Sequence, residues 1–292
     1  MNDTLKLKSL AKINLGLDVL GRRENGYHDV RMVMQTIFLY DNVTLKKTEK
    51  PGIELKTNLF YLPTDDKNIA YKAAKMLMDE FQIEGGISIT LDKHIPVAAG
   101  LAGGSSNAAT VLVGINRLFN LGLTEAELME RGVKLGADVP YCVMRGTALA
   151  EGIGEELTAL DPLPKCYVLI AKPAISVSTK TVYEKLDAHE IEEHPDIDGI
   201  LEGLQEENLE KVASSMGNVL EKVTAEDYPI IEEIKATMKE EGALNAMMSG
   251  SGPTVFGIFK ERRVGRQALK RIRQKGLTKQ IYLVNVHNNR RK

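Results

Sequence analysis

The run Pro96–Val97–Ala98–Ala99–Gly100–Leu101–Ala102–Gly103–Gly104–Ser105–Ser106–Asn107–Ala108–Ala109–Thr110 constrains the chain more than any other stretch. Glycines at 100, 103 and 104 let backbone come close to a ligand and reach positive φ. Ser105 and Ser106 are suited to cap a helix. Beyond them Ala109, Leu112, Ile115 and Phe119 recur at helical spacing, and Gly122 stands where a C-terminal cap belongs. Upstream, Ile87, Ile89 and Leu91 alternate with polar residues and read as a strand. The unit is therefore strand, glycine-rich turn, helix N-terminus. Free amides and the helix dipole make that a site for anions, phosphate above all.

Two familiar phosphate loops are excluded, because no lysine follows the glycines and the G-x-G-x-x-G spacing is absent. A tight turn with a small-residue helix contact explains the glycines alone equally well. The uncharged span from Ile95 to Asn116 is long enough for a membrane helix, but its Gly, Ser, Asn and Pro content argues against one.

At 292 residues the chain suffices for two domains or one large one. A net charge of −2 implies no general affinity for polyanions. Basic residues between Lys260 and Lys275 read as a solvated helix face, and Asn289–Lys292 as a frayed tail, so no nucleic-acid partner is expected. Cys142 and Cys166 lie in apolar surroundings and read as buried thiols rather than a disulfide or metal ligands. No signal segment opens the sequence, so a cytoplasmic setting without membrane attachment is expected.

Leu5 and Leu7, then Ile13, Leu15, Leu17 and Val19, alternate along an N-terminal strand, placing Lys12, Asn14 and Gly16 on the other face. Asn25–Gly26 marks a hairpin, with Tyr27 and His28 beside it and Val30–Leu39 returning. An aromatic ring and an imidazole there can stack on and hydrogen-bond a flat ligand, or simply face water. Asn42–Leu55 reads as further strand broken at Pro51–Gly52, and Asp65–Asp66 as the cap of a helix through Ile69 and Phe81. Thr124-x-x-Glu127 is a capping box opening a helix that ends near Gly136. Asp138 then stands among small and apolar residues just past that helix end, an unfavourable place for an anion unless a cation partners it, and Lys12 is the candidate. Pro162 and Pro164 bracket a linker. After it a strand from Cys166, acidic helical stretches, a second glycine loop in Ala246–Phe259, a helix over Arg262–Lys275 and a last strand over Ile281–Val286 suggest an α+β sandwich.

Taken together, AKINLGLDV, PVAAGLAGGSSNAAT and MMSGSGPTVFG resemble, in order and spacing, the GHMP kinase superfamily. Within it, AKINLGLDVLGRRENGYHDVRMV, GGSSNAAT and LGADVPYCV look like the 4-(cytidine 5′-diphospho)-2-C-methyl-D-erythritol kinases, with Gly26–Tyr27–His28 the most discriminating element. The resemblance spans essentially the whole chain. It implies an α+β, two-domain fold: a ribosomal-protein-S5-like N-terminal domain over 1–161, a ferredoxin-like C-terminal domain over 162–292, and an active site in the cleft between them. It implies ATP as co-substrate, bound by Pro96 to Ser106, with Asn68, Lys93 and Asn107 near the adenosine. Mg²⁺ would be held mainly by the phosphates, helped by Ser105 or Ser106, with no metal-ligating side chain assigned. Lys12 and Asp138 match the catalytic pair; Asn14, Tyr27, His28 and, more weakly, Thr179 match the substrate side. Ser249–Gly252 resembles the loop that supports the phosphate loop. A monomer or weak homodimer acting on a small molecule is implied.

One departure from the family pattern is the alanine content of the loop. Val97, Ala98, Ala99 and Ala102 stand where many relatives carry glycine, at a cost in easy positive φ. A kinase for homoserine or mevalonate, a nucleotide sensor without turnover, and a purely structural protein are the competing readings. The Gly26–Tyr27–His28 element, the retention of Lys12 with Asp138, and the two glycine loops argue against them in turn.

Overall fold

The computed structural model describes residues 3–187, 191 and 193–289. The tail reading over 290–292 lies outside the described residues. Two compact units form, and neither is one continuous piece of chain: 1–11, 39–97 and 102–144 make the first, and 12–38, 98–101 and 145–292 the second. Two long strands, β1 (Thr4–Arg22) and β2 (His28–Thr48), therefore supply residues to both. The pieces read as Val30–Leu39 and Asn42 onward form one strand, because every second residue from Val33 to Leu45 is buried, Gln35 and Asp41 included.

In the first unit the strand order is β3 (Gly52–Thr57), β4 (Gly86–Asp92), β2, β1. β3 runs parallel to β4, and β4 antiparallel to β2 from Asn42 opposite Asp92 to Thr48 opposite Gly86. Val43, Leu45, Ile87, Ile89 and Leu91 are buried, as their period of two requires. Against these strands lie α1 (Ile69–Glu80) and α2 (Gly103–Phe119). Gly114 lets α2 sit close, since a Cβ there would meet Leu45 Cδ1 at 2.2 Å. Asn68, rather than Asp65 or Asp66, caps α1, accepting from the Ala70 amide. Asn120, rather than Gly122, is the left-handed residue ending α2, and its own amide bonds back to Asn116 O. The capping box Thr124–Glu127 opens α3 (Glu125–Val133), and α4 (Asp138–Met144) follows.

In the second unit β2 pairs with β5 (Thr147–Glu151), which pairs with β6 (Glu156–Ala159), both antiparallel. Gly16 and Leu17 of β1 pair in parallel with the short β8 (Gly217–Asn218). A separate antiparallel sheet has the order β11 (Gln280–Asn285), β7 (Tyr167–Lys172), β10 (Val255–Phe259), β9 (Asn245–Met248). Its central β10 is buried along its whole length. Helices α5 (Thr179–Leu186), α6 (Ile197–Gln205), α7 (Leu209–Ser215), α8 (Val219–Asp227), α9 (Ile230–Glu240) and α10 (Arg262–Gln274) complete the unit. The Pro162–Pro164 stretch is not a loose linker. Leu163 is buried, its amide donates to Thr147 Oγ1, and its carbonyl accepts from Asn288 Nδ2. Both cysteines are buried thiols, and desolvation pushes Cys166 up to about 12, which removes it as a nucleophile.

Candidate active site

In the first unit the glycine-rich run ends as the start of α2. Ala102 occupies the N-cap position with φ 52° and carries no capping side chain. The amides of Gly103, Gly104 and Ser105 therefore open the helix with no side chain folded over them, at the positive end of the dipole. Ser105 and Ser106 are not caps but lie inside the first turn. The Ser106 hydroxyl is buried and committed: it donates to Leu10 O at 2.6 Å and accepts from Ser9 Oγ at 2.8 Å. Ser9 Oγ in turn accepts from Asn107 Nδ2 at 2.9 Å.

Beneath this turn lies a buried charge network. Lys93 Nζ donates to Asp41 Oδ2 at 2.5 Å and to Asn107 Oδ1 at 2.8 Å. Asp41 is fully buried and accepts three further bonds, from the amides of His94 and Ile95 and from Asn107 Nδ2. The backbone leading into Pro96 and the start of α2 are thus tied to one carboxylate. Breaking such a pair costs about 3–5 kcal/mol, because the remaining charge has no water to turn to. Lys93 and Asn107, both expected near an adenosine, are brought together. Asn68 caps α1 through Oδ1, and its Nδ2 donates to Pro63 O. Asp138 is half-buried and begins α4 instead of trailing a helix, so the dipole favours its charge rather than opposing it.

In the second unit the residues 98–101 bend twice on the left-handed side: Ala98 has φ 49° and Gly100 φ 71°. Ala98 and Ala102 thus adopt the conformation for which alanine is poorly suited, each at about 1–2 kcal/mol. Leu101 O accepts from the Lys12 amide at 3.2 Å. Gly100 is held by the second glycine loop, between β9 and β10: Ser249 Oγ donates to Gly100 O at 3.0 Å. A Cβ on Gly100 would stand 2.1 Å from Ser249 O, so only glycine fits. The second loop is itself held by one side of α8. Asn218 Nδ2 donates to Met248 O and Gly250 O, Glu221 Oε2 accepts from the Met248 amide, and Thr224 Oγ1 donates to Ser251 O. Ser251 Oγ lies 2.8 Å from Thr179 Oγ1 at the start of α5.

Lys12 is buried on β1, with its Nζ donating to Asn14 Oδ1 at 2.7 Å, while Asn14 Nδ2 faces Met32 Sδ at 3.4 Å. Tyr27 is exposed. His28 does not face water: its side chain is 9% exposed, its Nε2 lies 2.6 Å from Asp187 Oδ1, and its ring is 4.7 Å from that of Tyr183. Arg22 Nη1 holds the other oxygen of Asp187 at 3.2 Å. Asp41, Asn218, Tyr183 and Asp187 were not legible as site residues. Each stands within an ordinary strand or helix pattern and reaches its partner across a long stretch of chain.

The sequence profile of the GHMP kinases N terminal domain matches residues 68–146, and that of the GHMP kinases C terminal domain residues 200–277. The chain is similar to 4-diphosphocytidyl-2-C-methyl-D-erythritol kinase of Lachnospira eligens, 56% identical over 96% of this chain and 97% of that one. It is 54% identical to the protein of the same name from Lachnoclostridium phytofermentans, over 96% and 97% of the two chains. A crystal structure of 4-(cytidine 5′-diphospho)-2C-methyl-D-erythritol kinase superposes with a TM-score of 0.83 at 29% identity, covering 98% of this chain and 100% of that one. Among the described residues no helix is long and apolar enough to cross a membrane.

Proposed function

Since the chain belongs to the 4-diphosphocytidyl-2-C-methyl-D-erythritol kinase family of the two-domain GHMP kinases, we propose that it moves the γ-phosphoryl group of ATP to the 2-hydroxyl of 4-(cytidine 5′-diphospho)-2-C-methyl-D-erythritol. The products are the 2-phosphate and ADP, in the non-mevalonate route to isoprenoid precursors. The observation that carries the phosphate side of this reading is the uncapped N-terminus of α2, entered through left-handed bends at Ala98, Gly100 and Ala102.

Phosphoryl transfer needs positioning and charge stabilisation more than covalent chemistry. The amides of Gly103 to Ser105 cradle the ATP phosphates, Pro96 to Ser106 form the nucleotide loop, and Asn107 serves the adenosine side. Lys93 serves from below, as the buried cation under that loop, rather than as an adenosine ligand alone. Asp138 accepts the proton of the substrate hydroxyl or orients that hydroxyl. Lys12 supplies positive charge that lowers the transition state. Asn14, Tyr27, His28 and Thr179 serve the cytidine substrate, and Asn68 the nucleotide. We take the boundary between the two domains at 161/162; the separation of the matched segments, 68–146 and 200–277, is compatible with it.

The residues suit a Mg²⁺ carried by the phosphates. The Ser106 hydroxyl already has its partners, which leaves that of Ser105 to help hold the ion. When bound, the ion neutralises phosphate charge. The enzyme acts on small molecules in the cytoplasm as a monomer or weak homodimer, which sedimentation measures directly. The decisive assay is ADP release with ATP and Mg²⁺, comparing cytidine-diphosphate methylerythritol with homoserine and mevalonate. Turnover confined to the cytidine compound is expected. Turnover with another acceptor removes the substrate assignment, and ATP binding without any turnover leaves a sensor.

A further inference from the structure

His28 opens β2, while Asp187 follows the last turn of α5 as its C-cap residue. The two are 159 residues apart in sequence, yet Nε2 and Oδ1 lie 2.6 Å apart. An ionised carboxylate only accepts hydrogen bonds, so Nε2 must carry the proton. Arg22 on the other oxygen keeps Asp187 in place, and the Tyr183 ring restrains the imidazole from one side. In the neutral ring this leaves Nδ1 as an acceptor. An acceptor there suits a base that offers a hydrogen-bond donor, as the exocyclic amino group of cytosine does. The carbonyl that uracil places at the same position would oppose it, lone pair to lone pair.

We infer that Asp187 is a specificity-determining positioning residue, fixing the Nε2–H tautomer of His28 so that the enzyme prefers a cytidine over a uridine diphosphate substrate. The inference rests on the proposed function, which puts His28 on the base side. Asp187 does not touch the reacting atoms, so its removal leaves the phosphoryl-transfer step alone. It acts on which base is accepted.

The test compares wild type, Asp187→Ala and Asp187→Asn with cytidine-diphosphate methylerythritol and its uridine counterpart. In Asp187→Ala the ratio of kcat/KM values, cytidine over uridine, is expected to fall about tenfold, the worth of one hydrogen bond. The loss should fall on KM of the cytidine substrate, with kcat and the KM of ATP unchanged. Asp187→Asn keeps an acceptor oxygen and should restore part of the preference. Nitrogen-15 NMR of His28 in the ligand-free protein gives an independent readout: Nε2–H alone in wild type, a mixture of tautomers in Asp187→Ala. An unchanged ratio, or the same tautomer in both proteins, overturns the inference. Wild-type inactivity on both nucleotides refutes the proposed function instead, and the tautomer measurement still decides the role of Asp187.

Discussion

Replacing Gly100 by alanine adds one methyl group, and the surroundings state what it meets. Ser249 O would lie at 2.1 Å, Ser249 C at 3.0 Å and Gly252 O at 3.3 Å. All three are backbone atoms, so no flexible side chain can yield. The residue also sits at φ 71°, where alanine costs about 1–2 kcal/mol. Relieving the overlap pushes Gly100 O away from Ser249 Oγ and forfeits a bond of about 1 kcal/mol. Overpacking adds about 1 kcal/mol or more. The sum is about 3–4 kcal/mol of stability, a fall of roughly 6–16 °C in Tm for a protein of this size. Because the loop must shift by about 1 Å, kcat/KM for ATP should drop about 10²-fold. Scanning calorimetry and steady-state kinetics measure both. Gly104→Ala serves as the stability control: its Cβ meets only Ile69 Cγ2 at 3.7 Å, in the first turn of α2, so it should not lower Tm. A Gly100→Ala protein that melts within 2 °C of wild type and keeps its ATP efficiency (thresholds of about the size expected for a neutral surface change) would refute the reasoning.

Asp138→Asn should keep fold and ATP affinity while lowering turnover about 10²-fold; near-normal rates would remove Asp138 from the chemistry. Asn218→Asp preserves the acceptor that caps α8 at the Leu220 amide but sets a carboxylate against the carbonyls of Met248 and Gly250. It should destabilise by about 1–3 kcal/mol and raise the KM of ATP severalfold without moving that of the second substrate; an unaltered melting curve would contradict the clamp. Burial, and secondarily the charge of Arg145, holds His287 below the usual histidine range. The unfolded chain then binds the proton more readily, so this contribution is complete above about pH 6.5 and is lost as pH falls through the lower folded value. Comparing urea titrations of wild type and His287→Gln at pH 5 and 8 checks it, with the wild type expected to lose more on acidification.

The parts of the fold written as period were readable. Ile87, Ile89 and Leu91 announce β4, and Ala109, Leu112 and Ile115 announce α2, because burial of one face dictates both spacings. Boundaries failed where backbone geometry rather than pattern decides. Ser105 has good capping chemistry, yet the left-handed turn at Ala102 starts the helix earlier and carries both serines inside it. Asp138 looked stranded past a helix end because the break between α3 and α4 is only four residues long. The glycine loops were visible as composition, since close backbone approach leaves few residue types. What holds them was not. Asp41 lies in an alternating strand and Asn218 before an acidic helix, and their hydrogen bonds to the Lys93 segment and the Met248 loop exist only after long-range folding.

The final described residues close back on some of the earliest. Val286 bridges Ile37, the His287 amide donates to Thr36 O, and Gln35 Nε2 donates to His287 O. Asn289 Nδ2 reaches Arg145 O. A ribosome therefore delivers Gln35 252 residues ahead of His287, whose carbonyl its side chain holds. Through that interval this part of β2 waits without those partners, and the nascent protein is exposed there to proteases and to strand-seeking neighbours.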